Sequence, residues 1–173
     1  KEEINTLLFY ASKIDNPFIK PIIETLILTG GRKSEVLNLK WDDVDFNNMI
    51  LTFVNTKSNR NRKIPISKSF CKVLKEMPRI NDYLFPSLKL KNRPFKNLMF
   101  YWMKLKKQIN LHDVRIHDLR HTFASILVNQ GVSLYEVQKL LGHSSISITQ
   151  RYAHLSNESL KNAVDIVGRV LED

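Results

Sequence analysis

Between Val44 and Ile66 the apolar spacing changes period, and that change limits the folds open to this chain. On either side, apolar residues recur every three or four positions, as on one face of a helix. Ile4, Leu7, Leu8, Ala11 and Ile14 make such a stripe over Glu2–Ile14. A second helix is predicted from Pro17 to Thr29, stopped by Gly30-Gly31, and a short helical turn from Ser34 to Leu39 carries Val36, Leu37 and Leu39 inward. Inside the changed stretch, Val44–Phe46, Ile50–Val54 and Lys63–Ile66 read as strands, parted by turn signals at Asn47-Asn48 and Ser58-Asn59-Arg60-Asn61. They form a small antiparallel meander.

Helical spacing or capping then returns at Ser67–Met77, Pro94–Asn110, His117–Gln130, Ser133–Leu141, Ser147–Tyr152 and Asn157–Leu171. Ser133 with Glu136 makes a capping box, and Ser147 is placed to cap the short helix that follows it. In the His117 segment, Leu119, Phe123, Ile126 and Leu127 are expected on the buried side. The predicted fold class is α+β: mainly α-helical with a small three-stranded antiparallel sheet, in one domain of 173 residues.

Composition removes several classes of function. Hydrophobic residues at 43% supply a core, so the chain is not a disordered tail. Its longest apolar stretches, such as Pro21–Leu28, are too short to span a membrane. The single Cys71 excludes an internal disulfide, and the opening Lys-Glu-Glu lacks the layout of a signal peptide, so a cytoplasmic protein is expected. Lys and Arg number 27 against 17 Asp and Glu, a net charge of +10. Such a domain attracts polyanions, of which nucleic acid is the commonest, although charge alone does not separate a reader of DNA from an enzyme.

Three stretches place polar residues where a packed helix prefers apolar ones. In the first, Thr29 to Trp41, Arg32 follows two glycines and opens a helical turn, beside free backbone N–H groups that suit a phosphate. Glu35, three residues on, either braces Arg32 or makes a simple surface ion pair. In the second, His117-Asp-Leu-Arg-His-Thr-Phe-Ala-Ser125, His117 and Arg120 share a helix face. His117 and His121 have the spacing of a zinc pair, but no Glu follows the first His and the Arg120 cation would repel the metal; His121 reads as a structural histidine. In the third, Leu140 to His154, His143 follows Gly142 at a helix end and Tyr152 lies nine positions later. Taken singly, Tyr152 is an ordinary core or rim aromatic.

Jointly the three stretches closely resemble the signature of the tyrosine recombinase family, also called the phage-integrase family. That signature has an arginine in a Thr-Gly-x-Arg-x-x-Glu context, a His-x-x-Arg-His helix, a Leu-Gly-His and a tyrosine nine positions beyond; all occur here in order. The family's catalytic lysine sits in a β-hairpin turn, and Thr56 to Ile66 matches that hairpin with Lys57 in the lysine's place. Family members usually carry an N-terminal DNA-clamping (core-binding) domain, often with an arm-binding domain before it. Neither is found in these residues, which therefore resemble an excised catalytic half.

The resemblance implies transesterification without cofactor or metal. Tyr152 would attack the scissile phosphate, leaving a 3′-phosphotyrosine and a free 5′-hydroxyl, and the covalent link would conserve the bond for rejoining. Arg32 and Arg120 would clamp the non-bridging oxygens, with His143 as a further contact. Lys57 would be the general acid at the departing 5′-oxygen, and His117 the base near Tyr152 or a donor to phosphate, with Glu35 in support. An acidic cluster, Asp42, Asp43 and Asp45, suits a two-metal nuclease on paper but lies at a turn entering a strand, where Asp is common. A type IB topoisomerase-like enzyme and a non-catalytic DNA-binding module are the alternatives; the Leu-Gly-His box and the complete residue set weigh against them.

Double-stranded DNA is the expected partner. Candidate phosphate contacts are Lys33, Lys40, Arg60, Arg62, Lys63, Lys89, Lys91, Arg93 and Lys96, with Lys57 at the hairpin tip; such contacts position DNA without reading it. By resemblance, the assembly on synapsed DNA is a homotetramer, with the fragment alone a monomer. The amphipathic segment Asn157–Leu171 packs either on its own domain or by exchange onto a neighbouring protomer. Abundant Lys, Asn and Ile point to an AT-rich bacterial or phage genome.

Overall fold

The computed structural model describes residues 2–54, 61–143 and 145–156. Lys57, Arg60 and the whole of Asn157–Leu171 therefore lie outside the described residues. The chain divides into two compact units, with the boundary between Arg120 and His121.

The first unit opens with α1 (Glu2–Ala11) and α2 (Ile19–Thr29). α1 stops three residues short of the expected Ile14, and Leu7 and Ala11 are the members of its stripe that become buried. α2 buries Ile19, Ile22, Ile23 and Leu26, and packs against α1. Each such side chain, fully buried, contributes roughly 1.5–3 kcal/mol. Gly30 ends the helix in the left-handed region at φ 60°, donating its N–H to the Leu26 carbonyl at 3.1 Å. The short α3 (Lys33–Leu37) follows, with Val36, Leu37 and Leu39 buried as predicted.

A 3-10 turn at Trp41–Asp43 leads into the sheet, β1 (Val44–Asp45), β2 (Ile50–Phe53) and β3 (Arg62–Pro65). The strands are antiparallel in sequence order, with Leu51 opposite Ile64 and Phe53 opposite Arg62. The Asp cluster is absorbed in turns. Asp43 accepts the Lys40 N–H at 2.8 Å, and Asp45 accepts the Asn48 N–H at 2.9 Å and its side-chain amide at 2.7 Å. Next comes α4 (Lys68–Lys75), capped by Ser67, whose hydroxyl accepts the Phe70 N–H. It packs on α2.

The expected helix from Pro94 begins only at Leu98, as α5 (Leu98–Gln108). Pro94 bridges instead to Pro86, and the Phe95 N–H is given to the Phe85 carbonyl at 2.7 Å. An N–H committed to a neighbouring extended segment holds the backbone extended, whatever the helical spacing further on.

α6 (Asp118–Asn129) runs across the boundary between the units. Leu119, Ala124 and Val128 are its buried apolar residues, whereas Ile126, expected inside, is 45% exposed. The second unit continues through α7 (Leu134–Leu141), α8 (Ile146–Thr149) and a 3-10 segment, Gln150–Ser156. Ser133 and Glu136 form the predicted capping box. At α8 the predicted cap moves two residues: Ser147 lies inside the helix, and its N–H is received by the Ser145 hydroxyl at 3.3 Å. No helix among the described residues is long and apolar enough to cross a membrane.

Candidate active site

In the first unit the expected phosphate ligands are held by a chain of packed and charged contacts. Gly31 has no room for a side chain, because a Cβ there would meet the Phe53 ring and Val36 at 2.8 Å. The tight corner sets Arg32 at the N-terminus of α3. Its backbone N–H donates to one Glu35 carboxylate oxygen, and its guanidinium to the other, each at 2.8 Å. The first of these oxygens also accepts from the Arg62 guanidinium at 2.7 Å. Arg62 lies over the Phe53 ring, 4.3 Å from its centre.

Exposure divides the three partners. The Glu35 and Arg62 side chains are each 12% exposed, while Arg32 keeps 43% of its surface open to a ligand. Burial pushes the Glu35 carboxyl up. The Arg32 N–H, the Arg62 charge and the Arg32 side chain together outweigh that and leave it below its ordinary 4.5. Burial lowers the Arg62 pKa against the pull of Glu35, and a guanidinium stays protonated in a protein, so both partners are charged. Arg62, expected on DNA, is thus engaged with Glu35 instead, and Glu35 is more than a surface partner of Arg32.

Arg120 is 3% exposed and donates to the Gly30 carbonyl at 2.7 Å, ninety residues away in sequence. That bond ties the second motif to the corner that presents Arg32. His117 is exposed at the surface, one turn before Arg120. Its pKa is lowered by partial loss of solvent, then by the Arg120 charge, with smaller contributions from Arg115 and Arg32 that Asp118 opposes. The exposure makes the fixed charges the firmer cause. Arg32, His117 and Arg120 therefore share one positive field.

The second unit holds the other two expected site residues in neutral hydrogen bonds. Gly142 caps α7 in the left-handed region at φ 66°, and His143 follows, its Nδ1 hydrogen-bonded to the Thr149 hydroxyl at 2.9 Å. Thr149 is fully buried. Tyr152 is 5% exposed, its ring packed with Ala124, Val128, Val137 and Leu141. Its hydroxyl is hydrogen-bonded to Nδ1 of His121. Sequence reasoning set His121 aside as structural, but a signal was present: 121, 124 and 128 fall on one helix face. No group of three or more metal-ligating side chains occurs among the described residues.

The model of the Phage integrase family matches residues 1–159. The chain belongs to that family. Among its relatives is the tyrosine recombinase XerC of Staphylococcus epidermidis, 38% identical over 152 residues, covering 82% of this chain and 51% of the relative. The catalytic domain of bacteriophage HP1 integrase superposes with a TM-score of 0.78 at 29% identity, over 95% of this chain and 91% of that one. XerH site-specific recombinase, bound to palindromic difH substrate in a post-cleavage complex, superposes with a TM-score of 0.71 at 26% identity, over 97% of this chain and 52% of that one. The chain spans about half the length of the curated relatives it matches.

On this phage-integrase chain the remaining basic candidates, Lys33, Lys40, Lys63, Lys89, Lys91, Arg93 and Lys96, are all exposed. Lys40 stacks over the Tyr83 ring at 5.5 Å. Lys89, Lys91 and Arg93 lie on the loop closed by the Pro86–Pro94 bridge.

Proposed function

We propose that this chain is the catalytic domain of a site-specific tyrosine recombinase that cuts and rejoins double-stranded DNA. The observation that carries the reading is the positive field in which Arg32, Arg120 and His117 converge, in a chain whose motifs keep a tyrosine nine residues after His143. Arg32 and Arg120 are both held by neighbours, which is what stabilising a phosphorane requires.

In the proposed step the Tyr152 oxygen bonds to phosphorus as the bond to the 5′-oxygen breaks, giving a 3′-phosphotyrosine and a 5′-hydroxyl. Arg32, Arg120 and His143 neutralise the non-bridging oxygens, Lys57 gives a proton to the leaving oxygen, and His117 donates to phosphate or serves as base. Glu35 supports Arg32, and no metal takes part. The relative bound to difH DNA supports DNA as substrate, and the match to an integrase catalytic domain supports the domain assignment. Exposed Lys33, Lys40, Lys63, Lys89, Lys91, Arg93 and Lys96 are the proposed backbone contacts, with Lys57 and Arg60.

On synapsed DNA the assembly is a homotetramer, with Asn157–Leu171 exchanged between protomers; a Val164→Asp, Val167→Asp double variant that kept both fold and synapsis would remove the exchange. The chemistry is tested by incubating the protein with supercoiled plasmid in EDTA and running a denaturing gel. A protein–DNA adduct that forms without metal and disappears in Tyr152→Phe is the expected result. Metal-dependent cutting with no adduct would replace this reading with a nuclease.

A further inference from the structure

We infer that His121 is the group that takes the proton from the Tyr152 hydroxyl during strand cleavage, and returns it on rejoining. This rests on the reading of Tyr152 as nucleophile. Four observations lead to it, all on residues already placed.

A general base must first lie within hydrogen-bond reach of its proton. His121 Nδ1 does: it is the hydrogen-bond partner of the Tyr152 oxygen. The pair is also held from behind. Tyr152 packs against Ala124 and Val128 on the face of α6 that carries His121, so the two rings have little room to part, their centres 6.0 Å from one another at 49°. Tyr152 as a residue is 5% exposed, which leaves solvent a poor competitor for the proton.

Acid strength gives the timing. A phenolate is a stronger base than an imidazole, so in the neutral pair the proton stays on oxygen and His121 accepts the bond at Nδ1, in its Nε2–H form. As the oxygen bonds to phosphorus its basicity collapses, and transfer to Nδ1 becomes downhill. Atoms balance as follows: the O–P bond forms, the bond from phosphorus to the 5′-oxygen breaks, the phenolic proton moves to His121, and the 5′-oxygen takes a proton from Lys57. On rejoining, the 5′-oxygen bonds to phosphorus and its proton returns to Lys57, while the bond from phosphorus to the tyrosine oxygen breaks and the imidazolium gives that oxygen its proton back.

His117 is the rival, and its surroundings disfavour it. The cations Arg120, Arg115 and Arg32 all oppose a positive charge on its ring, which suits a donor to phosphate better than an acceptor of protons. The two histidines thus divide the work: His117 faces the phosphate charge, and His121 the nucleophile.

The test is the single-turnover rate of adduct formation on supercoiled plasmid, with Tyr152→Phe run first. No adduct from the unsubstituted chain, or one that survives Tyr152→Phe, sinks the recombinase reading and this assignment with it. Given a Tyr152-dependent adduct, His121→Ala and His121→Asn should each slow it about 100-fold or more. Added imidazole should restore the Ala variant at least ~10-fold, whereas a residue that merely packs is not rescued by a free base. His121→Asn keeps a hydrogen-bond partner for the hydroxyl without a titrating group, and its melting temperature and plasmid binding should match the unsubstituted chain. A near-normal rate in His121→Asn would reduce His121 to a holder of the ring. Failure of imidazole to restore His121→Ala, or imidazole rescue of His117→Ala instead, would also overturn the assignment.

Discussion

The two units prepare their functional groups by different means. In the first, Arg32 and Arg120 are fixed by charge: one by a carboxylate shared with Arg62, the other by a buried carbonyl. In the second, His143 and Tyr152 are fixed by neutral hydrogen bonds and by packing, with Thr149 and His121 as partners. The first arrangement suits groups that must hold positive charge throughout a reaction. The second suits groups whose protons move, because a neutral partner leaves the proton free to transfer. Charged support for the two arginines and neutral support for His143 and Tyr152 thus fall in different units.

The contrast is broken most sharply by one substitution on each side. Tyr152→Phe should abolish the covalent adduct and cost stability only about 1 kcal/mol, since the ring remains and one hydrogen bond is lost. Arg120→Ala should damage both properties. Cleavage should fall about 100- to 1,000-fold. Stability should fall by about 2–3 kcal/mol, because the Gly30 carbonyl loses a charged donor in a buried place. Denaturant melts beside adduct gels separate the two outcomes, and an Arg120→Ala protein as stable as the original would end the claim that charge holds the first unit.

Glu35→Gln comes next. It leaves two guanidiniums without their counter-charge, one of them nearly buried, and should destabilise by about 2 kcal/mol at neutral pH. The sign of its pH dependence follows from the depressed carboxyl. Stability from this group is complete above the ordinary pKa of 4.5 and is lost as pH falls through the lower folded value, so the gap between the two proteins should close in acid. Urea melts at pH 7 and pH 3 measure it; a gap that persists at pH 3 would deny the carboxylate its role.

A smaller effect is expected of Thr149→Val in the second unit. It keeps the shape but removes the hydroxyl from His143, at about 1 kcal/mol and with no change in the salt dependence of stability. The smallest effect is spectroscopic. The His117 ring should titrate below 6.5 in NMR, and Arg32→Gln should move the midpoint upward. With a folded pKa below the unfolded one, His117 contributes a rise of stability with pH through that window, complete above 6.5.

The sheet, the glycine stop after α2 and the capping box were legible from sequence because each is set by neighbours within a few residues. Glycine after α2, alternation in β2 and the Ser133–Glu136 pair are local statements. What escaped notice depends on contacts far apart in the chain. Pro94 and Phe95 have helical spacing behind them, but a bridge to Pro86 and Phe85 claims their backbone first. Ile126 is apolar, yet the face carrying Ala124 and Val128 is the one that meets Tyr152. The motif positions were proposed as a set, with Glu35 as a brace for Arg32, whereas the partners Gly30, His121 and Thr149 were not. Arg62 looked like any lysine or arginine near a turn until Glu35 was seen beside it, and His121 was hidden by its own good fit in a helix.

The Phe53–Arg62 pair has a consequence for how such a chain can vary. These opposed residues close the two strands with a cation over a ring, and Arg62 also reaches Glu35, so both ends of the segment carrying Lys57 are pinned to the support of Arg32. Whatever lies between them can then lengthen or shorten without disturbing the clamp, and closing a longer loop costs only about 0.6 kcal/mol for each doubling. On the proposed function, the distance over which Lys57 acts would be tunable by insertion at this one place while Arg32 stays held by Glu35.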